Sequence, residues 1–250
     1  MAQPKPSSPL LNPTHSFALT AVAILALAEG TGQPAIIQGP HGGGTPVTGP
    51  VTTFWDGATP GTWITNSEGA GLRFGVLTSP LRLGASAGAS SAWVPTGDMT
   101  LLIVRGKTTG VLNERFFRAG SSSGSFDIYL PYSDGVLYFD YGGTSAPNRL
   151  TKSGLTYSTS VIDYWAFTAG AAGSAIWQNG VKQASQATGI SRSGNTPPYL
   201  GYAPESQDVN FLQINDSQWD DATIAAWFLD PYAHLITAPT RRYLPALGVG

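Results

Sequence analysis

Asn179-Gly180 lies between Ile176-Trp-Gln and Val181-Lys-Gln. A two-residue Asn-Gly loop between short alternating runs dictates a tight β-hairpin, because both central residues of a type I′ turn take positive φ. Gln178 and Val181 therefore face each other across the turn. Downstream, Ser217 followed by Asp220 is placed to cap a helix, and Pro231 forbids its continuation. A hairpin, a strand at Tyr199-Leu-Gly-Tyr and one late helix, in that order, point to a β-fold with a single helical closure.

The rest of the chain fits that pattern. Short β-like runs occur at Val51–Phe54, Leu72–Val76, Thr100–Arg105, Arg115–Arg118, Phe126–Leu130, Val136–Tyr141, Tyr164–Ala169 and Ser174–Gln178. Gly, Pro, Ser and Asp clusters separate them, as a sandwich requires. No fixed-period repeat is present, which disfavours a propeller or solenoid. At 250 residues one large all-β unit is the expectation. Charged residues are only 11%, yet 7 Trp and 10 Phe are too many for a disordered chain. The net charge of -2 gives no electrostatic reason to expect nucleic acid or a membrane surface as a partner. With no cysteine there is neither a disulfide frame nor a thiolate, so the core alone must hold the fold.

Residues 1–13 carry Pro4, Pro6, Pro9 and Pro13, and read as an extended arm without internal hydrogen bonds. We expect this arm and the Pro-flanked tail with Arg241 and Arg242 to be ordered by a neighbouring copy or another protein. Pro4, Pro6, Pro9, Leu10, Arg241 and Arg242 are then the assembly contacts. Phe17–Ala28 ends in Ala-Leu-Ala, as a signal-peptide cleavage site does, but only Lys5 precedes it as a basic residue. The run is also shorter than the roughly 20 residues that span a bilayer. It reads as a buried strand.

Alternation assigns faces in the middle hairpin. Phe126, Ile128 and Leu130 fall on one side; across the Asp134-Gly135 turn they are joined by Leu137 and Phe139 as core. The opposite face then gathers Asp127, Tyr129, Tyr138 and Asp140, a patch of phenols and carboxylates. Aromatic faces cover sugar C–H surfaces and carboxylates accept hydroxyl hydrogen bonds, so this patch is the glycan-binding candidate. The same residues equally fit the wetter face of a sheet with no ligand.

Other chemistry lacks its residues. His15, His41 and His234 are the three histidines, and none has the setting of a catalytic base. Their scarcity also argues against zinc. Gly42–Gly44 lacks the Lys-Ser/Thr of a phosphate loop and reads as a plain loop. Asn215-Asp-Ser is a glycosylation sequon that has meaning only in a eukaryotic secretory host. Trp219, Trp227 and Phe228 on the late helix read as core-facing, with partner docking as the alternative.

Trp177-Gln-Asn-Gly-Val resembles the hairpin of laminin-G-like domains in the concanavalin A-like jelly rolls, and Tyr199-Leu-Gly-Tyr resembles the strand after it. Trp219–Tyr232 followed by Arg241-Arg-Tyr-Leu-Pro, and Asn12-Pro-Thr-His with Glu29-Gly-Thr-Gly, are similar to the ends of such domains in tailed-bacteriophage and prophage proteins. The resemblance covers about Asn12 to Pro245. It implies an antiparallel jelly-roll β-sandwich over residues 14–236, with a short C-terminal helix, an N-terminal arm over 1–13 and a tail over 237–250. It also implies a structural virion protein, a head decoration or tail-surface component that aids adsorption to host glycans. Its partners would be other virion proteins, copies of itself and those glycans. It would be assembled in the bacterial cytoplasm and carried on the virion surface. A carbohydrate-binding module without a virion role is the alternative. Related jelly-roll glucanases carry Glu-x-Asp-x-x-Glu on one strand; this chain has no such strand, so no enzyme is expected, and a glycoside hydrolase ranks last. Some relatives hold calcium through loop acids, for which Asp98, Asp134 and Asp208 are available. None sits in a calcium motif, and no cofactor is expected.

Overall fold

The computed structural model describes residues 5–6, 9–12, 14–27, 35–38, 51–52, 54–55, 60–74, 81–82, 94–107, 115–120, 124–155, 161–193, 198–201 and 207–237. In chain order its elements are β1 (Pro9–Leu11), α1 (Ser16–Leu19), β2 (Ala21–Leu25), β3 (Ala35–Gln38), β4 (Val51–Thr52), β5 (Phe54–Trp55), β6 (Thr62–Asn66), β7 (Gly69–Phe74), β8 (Leu81–Arg82), β9 (Met99–Lys107), β10 (Arg115–Ala119), β11 (Phe126–Tyr129), β12 (Leu137–Tyr141), β13 (Arg149–Lys152), β14 (Ile162–Gly170), β15 (Gly173–Gln178), β16 (Val181–Gln186), β17 (Tyr199–Leu200), β18 (Gln207–Asn215), α2 (Asp221–Leu229) and β19 (Leu235–Thr237).

Two antiparallel sheets pack face to face as the jelly-roll sandwich expected, and β1 and β19 form a separate two-stranded sheet. The larger sheet is ordered β16-β15-β14-β9-β18-β2-β3-β4, with β6 and β7 attached through β18; the smaller is ordered β13-β12-β11-β10-β17-β8-β5. Every pairing in both is antiparallel.

The sandwich core explains the two kinds of hydrophobic pattern. Phe117, Phe126, Phe139 and Leu137 from the smaller sheet meet Leu101, Ile103, Trp165, Phe167 and Ile176 from the larger one. Phe139 and Phe167 make edge contact across the gap at 5.3 Å between centroids. A second core lies on the other face of the larger sheet, where Leu102, Val104, Ala166, Trp177 and Phe211 are covered by Phe17, Trp219, Ile224, Trp227 and Tyr232. Strands buried on both faces favour apolar residues in succession. The run Leu101-Leu-Ile-Val in β9 supplies them, whereas Phe126-Asp-Ile-Tyr in β11 alternates because only one of its faces meets the core.

The hairpin forms as expected, with Asn179 at φ 50 and Gly180 at φ 82 and Gln178 opposite Val181. Two other expectations are corrected. The N-cap of α2 is Asp220, whose carboxylate accepts from Thr223 N at 2.8 Å, rather than Ser217. The residues between the two run through Trp219, which is drawn into the second core and keeps Ser217 out of the helix. The helix also lies on the outer face of the larger sheet instead of closing one end.

The arm is corrected in part. Pro9–Leu11 pairs with Leu235–Thr237 of the same chain, so Pro9 and Leu10 have an internal partner strand. Lys5 Nζ donates to the carbonyls of Leu27 (3.2 Å), Asn210 (2.9 Å) and Ala70, fastening the segment that holds the half-buried Pro6. Pro4, Arg241, Arg242 and the loop with His41 lie outside the described residues. Within 17–28, Phe17 and Ala18 sit in α1 while Ala21–Leu25 is the fully buried strand β2. Asn215 of the sequon is fully buried and donates to Thr100 O at 3.2 Å, so it is not a glycan acceptor in this fold.

Candidate functional site

Cross-strand register brings the four predicted residues together. Asp127 stands opposite Asp140 and Tyr129 opposite Tyr138. The neighbouring strands extend each row, because Arg118 faces Asp127, Arg115 faces Tyr129 and Arg149 faces Asp140. Arg115 and Arg118 are three residues apart, an odd spacing for one face of a strand. A bulge between Arg115 and Phe117 absorbs the extra residue and restores the face. The outer face of β10–β13 thus carries a row Arg118-Asp127-Asp140-Arg149 beside a row that holds Arg115, Tyr129 and Tyr138.

The carboxylates are not open to a ligand. Asp140 is fully buried, and Arg149 holds both its oxygens, Nε to Oδ1 and Nη2 to Oδ2, each at 2.6 Å. Burial lifts Asp140 above the ordinary carboxylate range while Arg149 opposes that shift. Asp127 is 5% exposed, and its Oδ1 lies 3.7 Å from Arg115 Nε, too long for a hydrogen bond. Burial pushes its carboxyl up to about 6, against the pull of Arg115 and Arg118.

The tyrosines face outward beside them. Arg115 stacks on Tyr129 at 4.7 Å and Arg149 on Tyr138 at 4.5 Å, a favourable use of the electron-rich ring face. Arg115 Nη2 also donates to the Tyr129 hydroxyl. Tyr138 donates to Asp134 Oδ2 at 2.5 Å, which raises the phenol and lowers Asp134.

A third ring, Tyr132, completes the group. It stands on the β11–β12 loop, which is closed by Tyr132 N to Val136 O and Gly135 N to Tyr132 O, both 2.9 Å, with Gly135 at φ 77. Tyr129, Tyr132 and Tyr138 meet at 5.0, 5.7 and 6.3 Å with interplanar angles of 82–88°. With Arg149 they line a cavity of about 150 Å³. Tyr132 is the most exposed ring at 39%. Sequence reasoning missed Tyr132, Arg115 and Arg149; a Tyr beside the Asp134-Gly135 turn is the available signal for the first.

A larger cleft of about 760 Å³ lies between β15–β16 and the start of α2, with Trp177, Trp219, Asp98 and Gln218 in its wall. Its aromatic floor is already covered, since Lys182 sits 5.2 Å above Trp177 and pairs with Asp221 at 2.5 Å. The calcium candidates do not converge. Asp98 accepts from Ala171 N at 2.8 Å, Asp134 from Val136 N at 2.9 Å, and Asp208 is held by both Arg73 nitrogens at 2.7 and 2.9 Å. They do not converge on a calcium cage, and among the described residues no group of three or more His, Asp or Glu is placed to hold a metal ion. His15 and His234 lie 6.2 Å apart in an aromatic cluster with Phe17. No helix among the described residues is long and apolar enough to cross a membrane.

The sequence matches no family model and no curated protein. Its fold does match solved structures. Domain 4 of an extracellular arabinanase from Geobacillus stearothermophilus, solved with arabinotriose, is 14% identical with a TM-score of 0.62 over 84% of this chain and 98% of that one. The binding domain of Paraclostridial Mosquitocidal Protein 1 is 13% identical with a TM-score of 0.60, covering 85% of this chain and 52% of that one. The receptor-binding domain of botulinum neurotoxin D is 8% identical with a TM-score of 0.58, over 85% and 53%. The chain spans about half the length of the two toxin domains. Two of these neighbours are named as binding domains and the third was solved with a bound sugar; at these identities the likeness is one of fold.

Proposed function

We propose that this chain is a lectin-like binding module whose glycan site is the cavity among Tyr129, Tyr132, Tyr138 and Arg149. The observation that carries this reading is the set of three mutually perpendicular rings with a guanidinium on the outward sheet face. It offers an exposed ring for sugar C–H surface beside charged donors for hydroxyls. The arabinotriose-bound arabinanase domain, which shares the fold over nearly its whole length, supports it. Hydrolysis is disfavoured because Asp127 and Asp140 lie under arginines and cannot flank a scissile bond.

The test is a glycan array followed by titration of the best binder. Tyr132→Ala is expected to weaken binding at least tenfold, as loss of a stacking ring does, while leaving the melting temperature within a degree or two. Unchanged binding by this variant to every sugar on the array sinks the site. We further propose, from the resemblance to phage-borne laminin-G-like domains, that the module is displayed on a bacteriophage head or tail. Mass spectrometry of purified particles tests that part, and absence of the chain from particles leaves the carbohydrate-binding module without a virion role.

A further inference from the structure

The cleft beside α2 owes its depth to a change of side-chain size along the outer face of the larger sheet. Cross-strand register sets Trp177 beside Lys182 in one row and Thr168, Ala175 and Ser185 in the next; such rows lie roughly 7 Å apart along a strand. The first row is filled, with Trp177 under Lys182. The second carries only small side chains, so the sheet there becomes a trench. Asp98 and Gln218 wall it at the β14–β15 turn. Asp98 Oδ1 accepts from Ala171 N at 2.8 Å, while Gln218 accepts from Ala172 N at 3.2 Å and donates to Gly173 O at 3.0 Å. This wall is set before any ligand arrives, which lowers the cost of binding.

We propose that this trench is a second binding site, for an uncharged oligosaccharide, on the face of the sandwich opposite the tyrosine cluster. It takes no residue from the tyrosine site and stands without it. Its volume of about 760 Å³ falls within the range of small-ligand sites. The methyls of Ala172, Ala175 and Ala187 and the rim of Trp219 offer apolar surface to sugar C–H groups. Polar groups remain open between them. Asp98 is exposed and commits only Oδ1, the exposed Ser185 hydroxyl has no hydrogen-bond partner among the described residues, and Lys182 gives one proton to Asp221 and keeps the others. Sugar hydroxyls both donate and accept, as this mixed set requires. Charge excludes an acidic ligand, since Asp98, Asp220 and Asp221 line the cleft against the single ammonium of Lys182 and repel an anion. These carboxylates are not placed to hold a metal ion either.

The experiment is titration calorimetry of the full chain carrying Tyr132→Ala, which silences the tyrosine site, with cellotetraose, xylotetraose and mannotetraose, and with tetragalacturonate as the acidic control. Tryptophan emission is followed alongside, because Trp177 and Trp219 line the cleft whereas the tyrosine cavity is lined by no tryptophan. At least one neutral sugar should bind and shift the emission, with tetragalacturonate at least about tenfold weaker. Ser185→Tyr and Ala187→Tyr, both at exposed positions, fill the trench and should each abolish binding without lowering the melting temperature. Asp98→Asn keeps an acceptor for Ala171 N and should weaken binding about fivefold, as loss of a charged acceptor does. No neutral sugar bound with a Kd below about 10 mM, unchanged emission, binding untouched by both filling variants, or equal affinity for tetragalacturonate overturns the trench site. None of these outcomes bears on the tyrosine site, whose own test is Tyr132→Ala against the unaltered chain.

Discussion

Asn179 shows how one residue serves the turn and the sheet together. Its positive φ fits the type I′ hairpin, a conformation most L-residues resist by about 1–2 kcal/mol. Its side chain also accepts from Tyr164 N at 2.8 Å and donates to Asp163 Oδ1 at 2.8 Å, tying the hairpin tip to β14. We expect Asn179→Ala to cost about 2 kcal/mol in urea unfolding, and Asn179→Gly to recover the part that belongs to φ. Equal losses in both would mean that the side-chain bonds carry all of the effect. The turn is legible because Asn-Gly is a local signal. The bonds to β14 are not, because they join residues that only the sheet brings together. Tyr132 escapes for the same reason, since a lone loop tyrosine acquires meaning only beside Tyr129 and Tyr138.

Among the elements, α2 separates local from tertiary control. Pro231 reads correctly as a stop, since the helix ends at Leu229. Its start is misplaced at Ser217 because the Ser-x-x-Asp pattern fits a cap as well as Asp220 does. Packing decides between them: Trp219 is buried, and its indole donates to Thr20 Oγ1 at 3.0 Å, so the chain turns into the helix only afterwards. Asp220→Ala should lower the melting temperature by about 3 °C, whereas Ser217→Ala should leave it nearly unchanged; differential scanning calorimetry distinguishes the two caps. Strand β18 carries no pattern that marks it as a strand. Gln207, Asp208, Asn210, Gln213 and Asn215 make it look like a loop, yet it is the middle of the larger sheet and buried throughout. Most of its polar side chains find partners, although Gln207 Nε2 and Gln213 Oε1 are buried without one. Asp208 pairs with Arg73, Asn210 exchanges bonds with Asn66 at 2.9 Å both ways, and Gln213 donates to Phe17 O at 2.7 Å. Burial of polar side chains is allowed where such partners exist, and no residue pattern announces the partners.

For the molecule as a whole, two buried titrating groups oppose each other. His234 is fully buried, and burial pushes it down to about 3. The unfolded chain binds its proton from about pH 6.5 downward while the native chain does not, so His234 withdraws stability as pH falls from there towards 3. Asp127 does the reverse. Its native carboxyl is protonated from about 6 and its unfolded one from about 4, so its burial penalty is relieved as pH falls through that window. Each contributes a slope of about 1.4 kcal/mol per pH unit with opposite sign. Between about pH 6 and 4 the two nearly cancel. Asp127→Asn removes one side, so this variant should be more stable than the wild type at pH 7 and should lose stability with acidification at about that slope; urea melts at half-unit intervals measure it. A wild type and variant with parallel profiles would show that Asp127 does not titrate in this range.

Local sequence was enough for the fold class, the hairpin, the helix stop and the side of the sheet on which Asp127, Tyr129, Tyr138 and Asp140 stand. Those follow from turn stereochemistry and the two-residue period of a strand, which act between neighbours in the chain. It took the folded packing to seal the carboxylates beneath Arg115 and Arg149, to bring Tyr132 into the cluster and to pair the arm with β19. Each of these depends on which strands become neighbours and, for the arginines, on a bulge that resets one face. Such pairings are set by burying both faces of the larger sheet at once, a condition that no short stretch of residues contains.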